Sequence, residues 1–232
     1  DEGVEDPTVL FERLAVRDIQ LAADVLRPAW ERTGKRDGYV SLEVSPHLAD
    51  DTEGTLSDAR RLCAEVARPN LMIKVPATQA GVPAIEALIA GGVNVNVTLL
   101  FAVGAYADVA EAYLRGLERR AEAGQDLSGV ASVASFFVSR IDSLLDPKIA
   151  EQGEALCDLQ GRIAIANARL AYAHYRDVVA SERWQALAAR GAQVQRVLWA
   201  STSTKEPSYA QTLYVDGLAG ADTVHRPHGE TL

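Results

Sequence analysis

Six short runs of β-type residues alternate with helix-type segments, and this alternation restricts the fold of the chain more than any other feature. Strands are expected at residues 39–45, 70–78, 93–101, 130–140, 194–201 and 222–226. Strands separated by helices in this way argue for right-handed βαβ units and a parallel sheet. No repeat or low-complexity linker interrupts the order, so residues 1–232 read as one domain.

The helix signals lie between these runs. Asp6 and Pro7 suit an N-cap and a first turn, and Leu10, Leu14, Leu21 and Val25 then recur at helical spacing. A helix over 56–66 is opened by Thr55 or Ser57, and one over 83–90 is ended by Gly91 and Gly92. The next covers 106–123 and closes at Gly124. Asp146 and Pro147 cap a long helix reaching about residue 179, and shorter helices follow over 182–190 and 207–218.

Two α/β architectures compete. In a doubly wound sheet both faces carry helices, and strands are apolar on both sides. Here the strands place polar residues on one face: Ser41 and Glu43; Lys74; Asn94, Asn96 and Thr98; Ser135 and Ser139; Ser201 and Ser203. A polar face shielded from bulk water fits a barrel whose site lies at the C-terminal strand ends. The expectation is therefore a (β/α)8 TIM barrel, incomplete in this chain because about six of eight strands are present.

Within that frame Lys74 stands out, since it interrupts an apolar run. Burying an ammonium is costly, so such a lysine is expected to have a lowered pKa and to attack carbonyls as a neutral amine, forming a Schiff base. The alternative is a strand-end lysine that reaches solvent. Glu43 lies on the polar face one strand earlier, as an acid–base partner or as a structural counter-ion. Asn94, Asn96 and Thr98 share strand parity and imply an internal network or a ligand. Arg140, at an expected strand end, suits phosphate, or pairs with Asp142. The hydroxyl-rich stretch Ser201 to Lys205 also suits a phosphate monoester.

Composition excludes several classes. Hydrophobic residues make up 48% of the 232 and charged residues 24%, with a net charge of −9. That balance argues against a nucleic-acid partner, and no run of 18 apolar residues predicts a membrane span. The acidic start lacks the layout of a signal peptide. Cys63 and Cys157, the only cysteines, are expected in amphipathic helices as buried or half-buried thiols, which fits a reducing, cytoplasmic setting. His225 and His228 are separated by Pro227, and no metal site is expected. No phosphate-cradling or dinucleotide glycine pattern occurs.

Four blocks, in order, carry a resemblance to a known family. They are Met-Ile-Lys-Val-Pro-Ala-Thr-Gln-Ala-Gly (72–81), Asn-Val-Asn-Val-Thr-Leu-Leu-Phe (94–101), Ser-Val-Ala-Ser-Phe-Phe-Val-Ser-Arg (132–140) and Leu-Trp-Ala-Ser-Thr-Ser-Thr-Lys (198–205). Together the chain resembles the transaldolases over residues 10–231. The resemblance implies Lys74 as the Schiff-base lysine, Glu43 acting through a bound water, and Thr98 holding that water. It implies Asn96 and Ser135 as substrate contacts, Arg140 and Ser201 at the phosphate, and Phe137 where the related fructose-6-phosphate aldolases carry a tyrosine. Ser203 stands where many transaldolases have an arginine, leaving Lys205 as the nearest cation. Thr-Val-His-Arg-Pro (223–227) departs from the family's Asn-Thr-Met-Pro.

The implied activity is transfer of a dihydroxyacetone unit between sugar phosphates in the non-oxidative pentose phosphate pathway. Its donors and acceptors are sedoheptulose 7-phosphate, fructose 6-phosphate, erythrose 4-phosphate and glyceraldehyde 3-phosphate, and no cofactor is needed. The family's first strand, with a catalytic aspartate, and its second strand have no counterpart here. The chain is therefore expected to be a barrel domain truncated at both ends, with a natural six-stranded remnant as the alternative, and six strands would leave two open sheet edges. An aldolase releasing free dihydroxyacetone and a non-catalytic barrel fragment are the alternatives.

Overall fold

The computed structural model describes residues 7–225. In chain order the elements are α1 (Pro7–Arg32), β1 (Val40–Glu43), α2 (Thr52–Val66), β2 (Leu71–Pro76), α3 (Gly81–Ala90), β3 (Val95–Leu100) and α4 (Val103–Glu122). There follow β4 (Ser132–Phe137), α5 (Ser139–Ala150), α6 (Ile163–Ala180), α7 (Glu182–Ala188), β5 (Arg196–Ala200), α8 (Leu213–Leu218) and β6 (Val224–His225). All six strands are parallel and pair in sequence order. The expected alternation is thus observed.

Strand parity divides the side chains between two cores. Leu71, Ile73, Val75, Val95, Val97, Ala134, Phe136, Val197 and Trp199 face outward and pack with helix residues such as Ile85, Leu88, Tyr113 and Ala168. A smaller cluster of Met72, Ala131 and Val133, with Tyr39 and Leu198 against it, fills the base of the other face. That second cluster requires a curved sheet, because its members come from strands that are not neighbours. The ends of the strand order also approach one another. Arg196 donates to the Arg36 carbonyl at 2.6 Å and to Asp37 at 2.8 Å, and Arg36 pairs with Asp222. The six strands therefore form a half-barrel whose concave side is plugged at the bottom and polar above.

Several boundaries differ from expectation. The N-cap of α2 is Asp51, which accepts from the Gly54 N–H at 2.9 Å, while the Thr55 hydroxyl turns away to the Leu48 carbonyl. Asp146 and Pro147 cap nothing and lie inside α5. Asp146 instead accepts from the Gly161 N–H and the Tyr209 hydroxyl, and α6 begins only at Ile163, after a 3-10 helix at Glu154–Leu159. The stretch 207–212 is not helical. Cys157 is exposed on that 3-10 helix, and Cys63 is half-buried on α2. The stripe Leu10, Leu14, Leu21 and Val25 is exposed. The opposite face of α1, with Val16, Ala23 and Trp30, is the one that packs. The expected cap Asp6, together with Arg226, Pro227 and His228, lies outside the described residues.

Candidate active site

The polar residues of the concave face stand in rows across the strands. Glu43 on β1 is the register partner of Lys74 on β2, and Lys74 is the partner of Asn96 on β3. Lys74 Nζ donates to Glu43 Oε2 at 3.0 Å. The neighbours of Lys74 along β2 are buried, but its own side chain keeps 20% exposure, with Glu43 at 45%. Lys74 is thus an accessible amine with a carboxylate beside it, not the fully stripped amine that the apolar run predicted.

Asn96 links three strands. Its Nδ2 donates to Ser41 Oγ on β1 at 3.0 Å, and its Oδ1 accepts from Ser135 Oγ on β4 at 2.7 Å. Both amide ends are therefore held, which fixes the side chain beside Lys74. Asn94 belongs to the scaffold. Its Nδ2 serves the Pro69 and Leu71 carbonyls, and its Oδ1 accepts from the Ala131 N–H.

Thr98 behaves differently. It is fully buried, and its Oγ1 has no hydrogen-bond partner among the described residues. A buried hydroxyl left unpaired is costly, so it marks a place where a water or substrate atom belongs. The next residue, Leu99, takes a left-handed φ of 60°, and the β3–β4 register shifts between Val97 and Leu100. This bulge keeps Leu100 in the outer core and leaves Phe101 beside Phe137, at 5.2 Å between ring centroids. Nothing in the sequence marks the bulge, because no glycine stands there.

Arg140 is not at a strand end but in the first turn of α5. It is exposed, lies 4.7 Å over the Phe137 ring, and makes no ion pair among the described residues. Pairing with Asp142 does not occur. That carboxylate is buried and accepts from the Ala164 N–H at 2.8 Å and from the Tyr214 hydroxyl at 2.9 Å. Burial pushes the Asp142 pKa up, against the pull of those two bonds. Ser201 follows β5 directly with a φ of 56°, and its Oγ lies 2.9 Å from Ser139 Oγ. Lys205 is exposed and donates to Ser203 Oγ at 2.9 Å.

The expected site residues therefore fall into two groups. Glu43, Lys74, Asn96, Thr98, Ser135 and Phe137 line the concave face, where an amine, a carboxylate and an unpartnered hydroxyl suit carbonyl chemistry. Arg140 stands in the first turn of α5 beside Ser139, which meets Ser201 after β5, and Ser203 and Lys205 follow in the same loop, a set of cations and hydroxyls that suits an anion. Ser41 was visible only as a polar-face residue, and its bond to Asn96 needed the register. Tyr209 and Tyr214 gave no sequence signal. Among the described residues no group of three or more His, Cys, Asp or Glu side chains converges to hold a metal ion. No helix among them is long and apolar enough to cross a membrane.

A sequence model described as Transaldolase/Fructose-6-phosphate aldolase matches residues 1–228. Curated relatives include Transaldolase 2 of Nostoc sp., 52% identical over 226 residues, a match covering 93% of this chain and 59% of the relative. Transaldolase 1 of Streptomyces avermitilis is 54% identical over 220 residues, covering 94% and 58%. Transaldolase of Acidothermus cellulolyticus is 51% identical over 227 residues, covering 98% and 61%. The chain spans about three fifths of the length of these curated relatives.

Proposed function

That the chain belongs to the transaldolase/fructose-6-phosphate aldolase family is the premise from which we propose that its site transfers a dihydroxyacetone unit between sugar phosphates. The observation that carries this reading is the Lys74–Glu43 contact at 3.0 Å, set beside the unpartnered Thr98 hydroxyl. Lys74 Nζ attacks the C2 carbonyl of a ketose phosphate such as sedoheptulose 7-phosphate or fructose 6-phosphate. Glu43, through a water held by Thr98, moves the protons that turn the carbinolamine into an imine. The protonated imine accepts the electron pair as the C3–C4 bond breaks, the C4 hydroxyl proton passes to a base (in the family, the first-strand aspartate), and an aldose phosphate leaves. The enamine then adds to an acceptor aldehyde, erythrose 4-phosphate or glyceraldehyde 3-phosphate, and hydrolysis frees Lys74.

Asn96 and Ser135 hold the substrate hydroxyls in this scheme. Arg140, Ser201, Ser203 and Lys205 take the phosphate. Phe137 supplies an apolar wall without a hydroxyl to activate water, which favours transfer over release of free dihydroxyacetone.

The domain in this reading is a (β/α)8 barrel, of which the chain supplies six strands. The outer edge of β1, unpaired among the described residues, and the exposed apolar stripe of α1 beside it support that arrangement. The test is reductive trapping. With fructose 6-phosphate and borohydride, the full-length protein should carry the adduct on Lys74; an adduct on Lys148 or Lys205 alone would sink the assignment.

A further inference from the structure

The segment from Ser201 to Tyr214 is fastened to a single face of α5. Ser139, Asp142 and Asp146 are spaced i, i+3 and i+7, which places them on one side of a helix. Each holds one point of the segment: Ser139 Oγ meets Ser201 Oγ at 2.9 Å, Asp142 accepts from the Tyr214 hydroxyl at 2.9 Å, and Asp146 accepts from the Tyr209 hydroxyl at 2.8 Å. Ser203 and Lys205 lie in the span between the first and last of these points. Arg140 sits in the first turn of the same helix. The helix thus fixes where the loop's cation stands relative to its own arginine.

The outermost fastening, Tyr209 to Asp146, rests on a prepared seat. Gly161 has a φ of +68°, and a Cβ built there would lie 2.9 Å from the Tyr209 ring. The Gly161 N–H also donates to Asp146 at 3.1 Å. The ring therefore packs on a position only glycine fills comfortably, while its hydroxyl reaches the carboxylate that the same glycine orients. Between helix and loop lies a cleft of about 370 Å³ lined in part by Asp146, Lys205 and Tyr209. Lys205 lines this cleft together with Tyr209, so the latch sets the wall against which Lys205 stands.

We propose that Tyr209 is a positioning residue: its bond to Asp146 holds the Ser203–Lys205 loop in the phosphate-binding geometry. The proposal rests on the phosphate role given above to Arg140 and that loop. A loop competent only part of the time weakens apparent affinity by the fraction of time it is in place. The effect should therefore appear in phosphate binding and not in the chemistry at Lys74.

The experiment compares the full-length protein with its Tyr209→Phe variant, which keeps the ring on Gly161 and loses only the hydroxyl. Expected is a rise of about five- to tenfold in KM for fructose 6-phosphate and in the inhibition constant of inorganic phosphate. KM for unphosphorylated fructose should stay unchanged, and the phosphate effect should vanish in a Lys205→Ala background. Asp146→Asn, which keeps an oxygen for Gly161 and a polar partner for Tyr209, should stay near the parent, whereas Asp146→Ala should match Tyr209→Phe. Unchanged phosphate constants in both Tyr209→Phe and Asp146→Ala, or equal losses on fructose and its phosphate, would overturn the latch. Failure of the unsubstituted protein to form a Lys74 adduct would instead overturn the functional reading and, with it, the premise of the latch.

Discussion

Lys74 Nζ and Glu43 Oε2 stand 3.0 Å apart as register partners on adjacent parallel strands, both on the concave face. At 45% exposure for Glu43, an ion pair of this kind contributes about 0–1 kcal/mol to stability. A role in proton transfer is worth far more, about 10²–10⁴ in rate. Glu43→Gln should therefore leave the thermal midpoint nearly unchanged while lowering kcat by about two to four orders of magnitude. The rate of borohydride trapping at Lys74 should fall in parallel, because imine formation itself is slowed. A variant that loses stability and keeps its turnover would make Glu43 a structural counter-ion.

Thr98 provides a sharper separation of folding from function. Its buried Oγ1 makes no bond to the described residues that Val would forfeit, and Val has nearly the same shape. Removing an unpaired buried hydroxyl should be neutral or stabilising by up to about 1 kcal/mol. Turnover should fall by about tenfold to a hundredfold if the hydroxyl holds the water that serves Glu43. Calorimetry and steady-state kinetics on Thr98→Val check both halves, and a destabilised but fully active protein would contradict them.

The sheet was legible because strand alternation is local. Val40, Leu42, Lys74, Asn96 and Thr98 point as their parity requires, and pairing in sequence order then brings Glu43, Lys74 and Asn96 into one row. The failures lie where tertiary partners outbid local signals. Asp146 before Pro147 has the look of a cap, yet its carboxylate serves Gly161 and Tyr209 from across the chain. Leu10, Leu14, Leu21 and Val25 mark an apolar face, but periodicity cannot say which of two faces the described residues cover. The turn of α5 that carries Arg140 was hidden in an apolar run continuous with β4. The bulge at Leu99 left no mark at all, since a leucine there takes a conformation that sequence assigns to glycine.

Arg140 stacks on Phe137 and makes no ion pair among the described residues, so its guanidinium is available to an anion. One charge-assisted contact is worth about 1.5–3 kcal/mol, which corresponds to roughly tenfold or more in KM. Arg140→Ala should raise KM for fructose 6-phosphate by that factor and leave unphosphorylated dihydroxyacetone little affected as a donor. Initial-rate measurements on both substrates decide the point, since equal losses would assign Arg140 to packing alone.

On the outer surface, far from the concave face, Arg183 of α7 grips two carboxylates of α4: Glu118 at 2.6 and 2.8 Å and Glu111 at 2.6 Å. The hydrogen bond from Arg183 is the main cause of a Glu118 pKa held below the usual glutamate value. A depressed folded pKa contributes stability above the unfolded value, about 4.3, and that contribution is lost as pH falls through the folded value. Glu118→Gln should thus lower the thermal midpoint at pH 7, and the gap should close as the pH drops below about 4. Both side chains are about a third exposed, so salt and solvent screen the pair. A contribution of at most about 1 kcal/mol corresponds to about 2–4 °C for a chain of this size. The same substitution should leave kcat and KM untouched, because α4 and α7 pack outside the sheet; a thermal gap that stays constant from pH 7 to pH 3 would show that Glu118 acts through packing and not through its charge.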